Sequence, residues 1–227
     1  MRQAMNSYFS ILELDDHNCG GALGIANVLN EYDKVTHANE IYKLLANSEP
    51  NSLLGRHSTV NQGHIAMWAK NFDLAVNLYL AALESNPADV EIHLYLSKAY
   101  FRRKDFDSCQ NVLSKLLKTH PNELRVNFNY AYCLYKNACE VFDKNDRKVQ
   151  QTKAAISELT KAKEILSRIL QSSEESGLVL AMPPITTNEE IKQTSSDIYR
   201  VADETMTYLN QMLGNAEYYL LHDEKRE

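Results

Sequence analysis

Glycine and proline are scarce, with seven glycines and five prolines in 227 residues. Pro50, Pro87, Pro121, Pro183 and Pro184 fall between apolar-periodic stretches or in one late hinge, and none interrupts such a stretch. Proline is excluded from helix interiors, so this distribution predicts an all-helical chain. No apolar run approaches the roughly 18 residues of a membrane span. The polar amphipathic stretch directly after Met1 does not read as a signal peptide. Cations are in the minority, 24 Lys and Arg against 30 Asp and Glu, for a net charge of −6. Direct nucleic-acid binding needs a clustered basic face, and that balance argues against it.

Cys19, Cys109, Cys133 and Cys139 contain no CxxC pair. Cys109 and Cys133 fall where small buried residues are needed, so they are expected as core thiols. A reducing compartment, cytosol or nucleus, follows from that reading. Catalytic patterns are missing too: there is no GxSxG, no phosphate-cradling glycine loop and no HExxH. The histidines, at positions 17, 37, 57, 64, 93, 120 and 222, form no i,i+4 pair and have no cysteine at ligand spacing. The chain is therefore expected to be non-enzymatic, with no cofactor, no metal and no small-molecule substrate.

What is present is a repeat. The stretch EIHLYLSKAYFRRKDFDSCQNVLSKLLKTHP, Glu91–Pro121, reads as two amphipathic helices closed by a proline. Ala26, Gly63, Ser97 and Ala131 recur as the small residue of each first helix. Tyr42, Tyr79 and Leu113 recur as the large residue of each second helix, followed by Leu45, Ala82 and Leu116. Pro87 and Pro121 stand 34 residues apart, and Pro50 and Pro87 stand 37 apart. The three extra residues are expected in a longer loop around Asn51–Gly55. The pattern resembles the tetratricopeptide (TPR) repeat, a helix-turn-helix unit of about 34 residues. The fold expected is an all-α TPR superhelix with an extended helical hairpin and a long C-terminal capping helix.

The expected organisation is as follows. Residues 1–18 are the second helix of a truncated repeat, with Ala4, Tyr8 and Ile11 in register, and residues 19–123 hold three TPR units. Residues 124–171 form an elongated fourth hairpin whose apolar stripe runs on through Ala138, Val141 and Phe142. Its second helix buries Ala155, Leu159, Ala162, Leu166 and Ile169. Residues 172–187 are a linker in which Leu178–Met182 either tucks against the hairpin or lies in a groove. Residues 188–222 are one long helix with Ile198, Ala202, Thr205, Leu209, Met212, Ala216 and Tyr219 at heptad spacing. A second stripe, Tyr199, Met206, Leu213 and Leu220, widens that face, which favours a cap on the array over a coiled coil with another chain. The half repeat at the start and the charged HDEKRE end read as a piece of a longer protein.

TPR arrays bind through a concave wall made from the first helix of each repeat. Helical geometry places Asn27, Asn61, His64, Trp68, Tyr95, Lys98, Phe101, Arg102, Arg125, Phe128, Asn129, Tyr132, Tyr135 and Lys136 on that wall. It reads as aromatic with a basic side, and aromatics and arginine dominate binding energy at protein interfaces. Asn27 and Asn61 match two places of the chaperone-binding carboxylate clamp. Leu23 stands where its first lysine belongs, and Glu91 and Tyr95 replace its last basic pair, so that clamp is not expected.

The long unit NFNYAYCLYKNACEVFDKNDRK, its partner SELTKAKEILSRIL and the final SSDIYRVADETMTYLNQMLGNAEYYLLH follow three regular repeats in a definite order. That order resembles the C-terminal TPR region of the large TPR subunit of the RNA polymerase II-associated Paf complex. The resemblance implies a non-catalytic nuclear scaffold whose partners are other Paf-complex members, active in transcription elongation. It also implies a charged tail beyond this segment. The MPPITT stretch departs from the pattern. A TPR adaptor of another assembly (co-chaperone, ubiquitin-ligase or trafficking) is the alternative.

Overall fold

The computed structural model describes residues 2–144, 148–176, 195–215 and 218. Among them the regular elements are all helices. They fall into two compact units, Met1–Arg103 and Lys104–Glu227.

The first unit contains α1 (Arg2–Leu14), α2 (Cys19–Glu31), α3 (Val35–Ser48), α4 (Leu53–Trp68), α5 (Phe72–Ser85) and α6 (Val90–Arg102). Each helix packs on the next, and α2 also touches α4. Short polar side chains start four of these helices, each accepting a backbone N–H left unpaired by the first turn. Asn18 caps α2, Ser52 α4, Asn71 α5 and Asp89 α6. First helices end at a left-handed residue: Asp33 has φ 60° and Lys70 φ 58°. The chain then turns back, with Lys34 N–H on Leu29 C=O and Asn71 N–H on Ala66 C=O, both at 2.9 Å. Between paired helices a small residue faces a large one, as the repeat requires. Gly63 lies so close to Tyr79 that a Cβ added there would stand 2.5 Å from the ring.

The extra residues between Pro50 and Pro87 do not form a longer loop. The α3–α4 connection, Glu49–Ser52, is as short as the α5–α6 connection, Asn86–Asp89. Instead α4 has 16 residues where α2 and α6 have 13. The reason is the cap: Gly55 N–H donates to Ser52 Oγ at 3.0 Å, so the helix starts at Leu53 and takes in Gly55.

The second unit contains α7 (Phe106–Thr119), α8 (Leu124–Phe142), α9 (Val149–Ser176) and α10 (Ser195–Gly214). The hairpin is long, with 19 residues in α8 and 28 in α9. Helix α7 packs on α8, α8 on α9, and α10 on both α9 and α8. The α9 stripe expected from periodicity, Ala155, Leu159, Ala162, Leu166 and Ile169, is buried. Polar side chains tie the three helices at their edges. The Glu158 carboxylate accepts from Asn137 Nδ2 at 2.9 Å and from Gln110 Nε2 at 3.3 Å, and its pKa is raised, chiefly by burial. Cys109 and Cys133 are buried thiols, and contact with Cys109 together with burial pushes the Cys133 thiol up.

Helix α9 runs through Ser176, past the start expected for the linker at 172. Leu178–Met182, the MPPITT stretch and the expected helix start at Asn188 lie outside the described residues, as do Ala216, Tyr219 and Leu220. Within α10, Thr205 and Leu209 are buried and Met212 Sδ lies 3.7 Å from Cys139 Sγ of α8. Gly214 is the last residue of α10 and does not interrupt it.

Candidate binding cleft

In the first unit, α2, α4 and α6 surround an open cleft of about 590 Å³. Its wall carries Leu23, Asn27, Asn30 and Glu31 of α2, and Arg56, His57, Val60, Asn61 and His64 of α4. Asp89 and, from α6, Glu91, Ile92 and Tyr95 complete it, with Tyr42 of α3 at the base.

Two polar constellations fix this wall. The Asn27 carbonyl Oδ1 accepts from Tyr42 O–H at 2.7 Å and from Asn61 Nδ2 at 3.1 Å, joining two repeats and the helix behind them. Burial pushes the Tyr42 phenol up to about 12, so it stays protonated and donates. One turn along α4, His64 Nδ1 lies 2.9 Å from Tyr79 O–H, and its ring meets Tyr95 edge-on at 4.5 Å. Burial, helped by nearby Lys98, lowers the His64 pKa to about 4, so the imidazole is neutral at pH 7.

That shift makes stability depend on pH. The folded value lies below the unfolded 6.5, so the unfolded chain binds more protons between the two. The contribution is fully present above pH 6.5 and is lost as pH falls through 4. About 3 kcal/mol is expected to go over that interval. Urea titrations at a series of pH values check this: His64→Gln should flatten the acid limb relative to the unsubstituted chain.

Four residues expected on the wall, Asn27, Asn61, His64 and Tyr95, meet in this one cleft. Trp68 does not line it and stands 59% exposed at the end of α4. Phe101 and Arg102 are also outside the lining, and Arg102 lies over the Phe72 ring at 5.6 Å. Lys98 sits beside His64 without lining the cleft.

The residues expected from the fourth repeat do not form an open wall. Phe128, Asn129 and Tyr135 are 2%, 5% and 9% exposed, which makes them interior and removes them from any groove surface. The aromatic series on α8 closes on itself, Phe128 stacking on Tyr132 at 6.0 Å and Tyr132 meeting Tyr135 at 5.9 Å. Farther along α8, α10 lies against Cys139. Tyr132, Lys136 and Arg125 stay half-buried. Lys136 Nζ sits over the rings of Tyr132 and Tyr135, and Arg125 Nε donates to Glu123 at 2.9 Å.

Tyr42, Arg56, His57, Glu31 and Asp89 were not expected in the cleft. Arg56 and His57 reach the wall from the first turns of α4, just past the Asn51–Gly55 stretch expected as a loop. Asp89 carried a legible signal, since an Asp before an apolar-periodic run marks a helix start.

Residues 66–127 match the tetratricopeptide repeat family. The fold is that of a TPR array. A curated relative, RNA polymerase-associated protein CTR9 of Caenorhabditis elegans, is 25% identical over 174 residues. The match covers 76% of this chain and 15% of that protein's length. Two solved structures share the fold. The MamA RS-1 ArsTM double mutant superposes with a TM-score of 0.54 at 16% identity, over 75% of this chain and 87% of that one. YrrB, described as a TPR protein with an unusual peptide-binding site, gives 0.52 at 13% identity over 98% of this chain and 100% of its own. Within the TPR array, Leu23 and Glu91 line the cleft where a carboxylate clamp needs cations. No described helix is long and apolar enough to cross a membrane.

Proposed function

We propose that this chain is a non-catalytic protein–protein interaction scaffold, and a segment of a nuclear Paf-complex subunit that accompanies RNA polymerase II during elongation. The cleft between α2, α4 and α6 carries the first part of this reading. Its volume lies in the range of binding clefts, and its mixed aromatic and amide lining suits an extended protein segment. The similarity to CTR9 supports the second part, together with the long hairpin and capping helix that follow the regular repeats. Partners in this reading are other protein subunits, with no direct nucleic acid, membrane or small-molecule ligand.

Affinity purification of the full-length protein tests both parts. RNA polymerase II and Paf subunits are expected in the eluate, and heat-shock chaperones alone would sink the Paf assignment. Asn61→Ala combined with Tyr95→Ala should weaken capture of at least one partner about tenfold while helicity is unchanged. Full capture by that variant would remove the cleft as the working surface.

A further inference from the structure

The sequence pattern gave the concave wall a basic side, through Lys98, Arg102, Arg125 and Lys136. In the first unit the cleft has the opposite balance. Its charged lining is Glu31, Asp89 and Glu91 against Arg56, with His64 neutral at its centre.

Two of these carboxylates are placed by backbone structure. Asp89 accepts from Ile92 N–H at 3.2 Å through Oδ1 and from Asn86 Nδ2 at 3.3 Å through Oδ2. It is pinned at the start of α6, where the positive end of the helix favours an anion. Glu31 is the last residue of α2, where the partial negative charge of the helix end adds to its own. A negative charge there is disfavoured within the chain, and a cation docked beside it relieves that cost. Tyr95 offers the cation an aromatic neighbour, as tyrosine rings do for lysine and arginine.

Resting on the cleft reading above, we infer that this site takes an extended basic protein segment. A lysine or arginine of that segment sits among Glu31, Asp89 and Glu91, and its main chain lies along Asn61. The charge balance of the lining selects against an acidic or C-terminal carboxylate-bearing peptide, because like charges brought together in a cleft repel strongly.

The full chain can be titrated by fluorescence anisotropy with two short capped peptides, alike except that one carries lysines where the other carries glutamates. The lysine peptide should bind at least about tenfold more tightly, and its advantage should shrink as salt is added. Glu31→Gln with Asp89→Asn and Glu91→Gln should abolish that preference, since asparagine caps a helix as well as aspartate does. The same variant should lose the partner captured by the unsubstituted protein. Failure of the lysine peptide to bind, equal binding of the glutamate peptide, or an unchanged preference in the triple variant each overturn the inference. If Asn61→Ala with Tyr95→Ala still weakens capture when the triple variant does not, the charge assignment fails and the cleft stands. If neither variant alters capture, the cleft reading fails with it.

Discussion

Leu159→Ala is expected to destabilise the second unit by about 4 kcal/mol, near the upper end of leucine truncations in close-packed cores. Leu159 is fully buried on α9, the helix that packs on both α8 and α10, and it lies on one stripe with Ala155, Ala162 and Leu166. Two of those three neighbours along the stripe are alanines, which have no spare side chain to swing into a vacated volume. The site therefore collapses poorly, and the cavity term adds to the lost transfer energy. Urea unfolding followed by circular dichroism reads the shift, and Glu164→Ala on the exposed face of α9 serves as the control, at under about 0.5 kcal/mol. A loss below about 1 kcal/mol at Leu159 would mean that α9 is not seated as described.

Gly55→Val is the second large effect, and it acts on the first unit. A Cβ at Gly55 would stand 1.9 Å from the Glu49 carbonyl oxygen, a backbone atom that cannot rotate away. That oxygen already accepts from Ser52 N–H and Ser52 O–H, both at 3.0 Å, and Ser52 Oγ in turn caps α4 through the Gly55 N–H. Moving Glu49 to make room undoes this set of bonds, and with it the start that gives α4 its extra turn. The expected cost is about 3 kcal/mol or more, from overpacking and lost capping together. Arg56 and His57 should leave the cleft wall at the same time. Thermal melting checks the stability, and Gly55→Ala should give the same sign with a smaller size. A melting temperature unchanged by Gly55→Val would disprove the tight α3–α4 junction.

The repeat was legible because its determinants are local. Ala26, Gly63 and Ser97 had to be small and Tyr42 and Tyr79 large wherever paired helices meet, so the pattern shows in the chain itself. The α9 stripe was legible for the same reason, since a buried helix face repeats at helical spacing. By contrast, the extra residues near Pro50 were misread, because length alone does not say whether an insertion enters a loop or a helix. That choice was made by one hydroxyl, Ser52 Oγ, on one amide, Gly55 N–H.

The wall was legible in part. Asn27, Asn61, His64 and Tyr95 come together because three first helices stand side by side, which the register implies. Phe128, Asn129 and Tyr135 occupy comparable places on α8, yet they are buried, and no repeat template encodes that.

The sequence by itself determined the helical class, the pairing of helices and the residues that interlock them, since each depends on spacing within one or two helices. Tertiary structure alone decided the sign of the cleft. Arg102 turned onto Phe72, Lys98 settled beside His64, and helix ends held Glu31 and Asp89 in the lining. Where a charge points is set by its neighbours in space, which the order of residues along a single repeat does not encode.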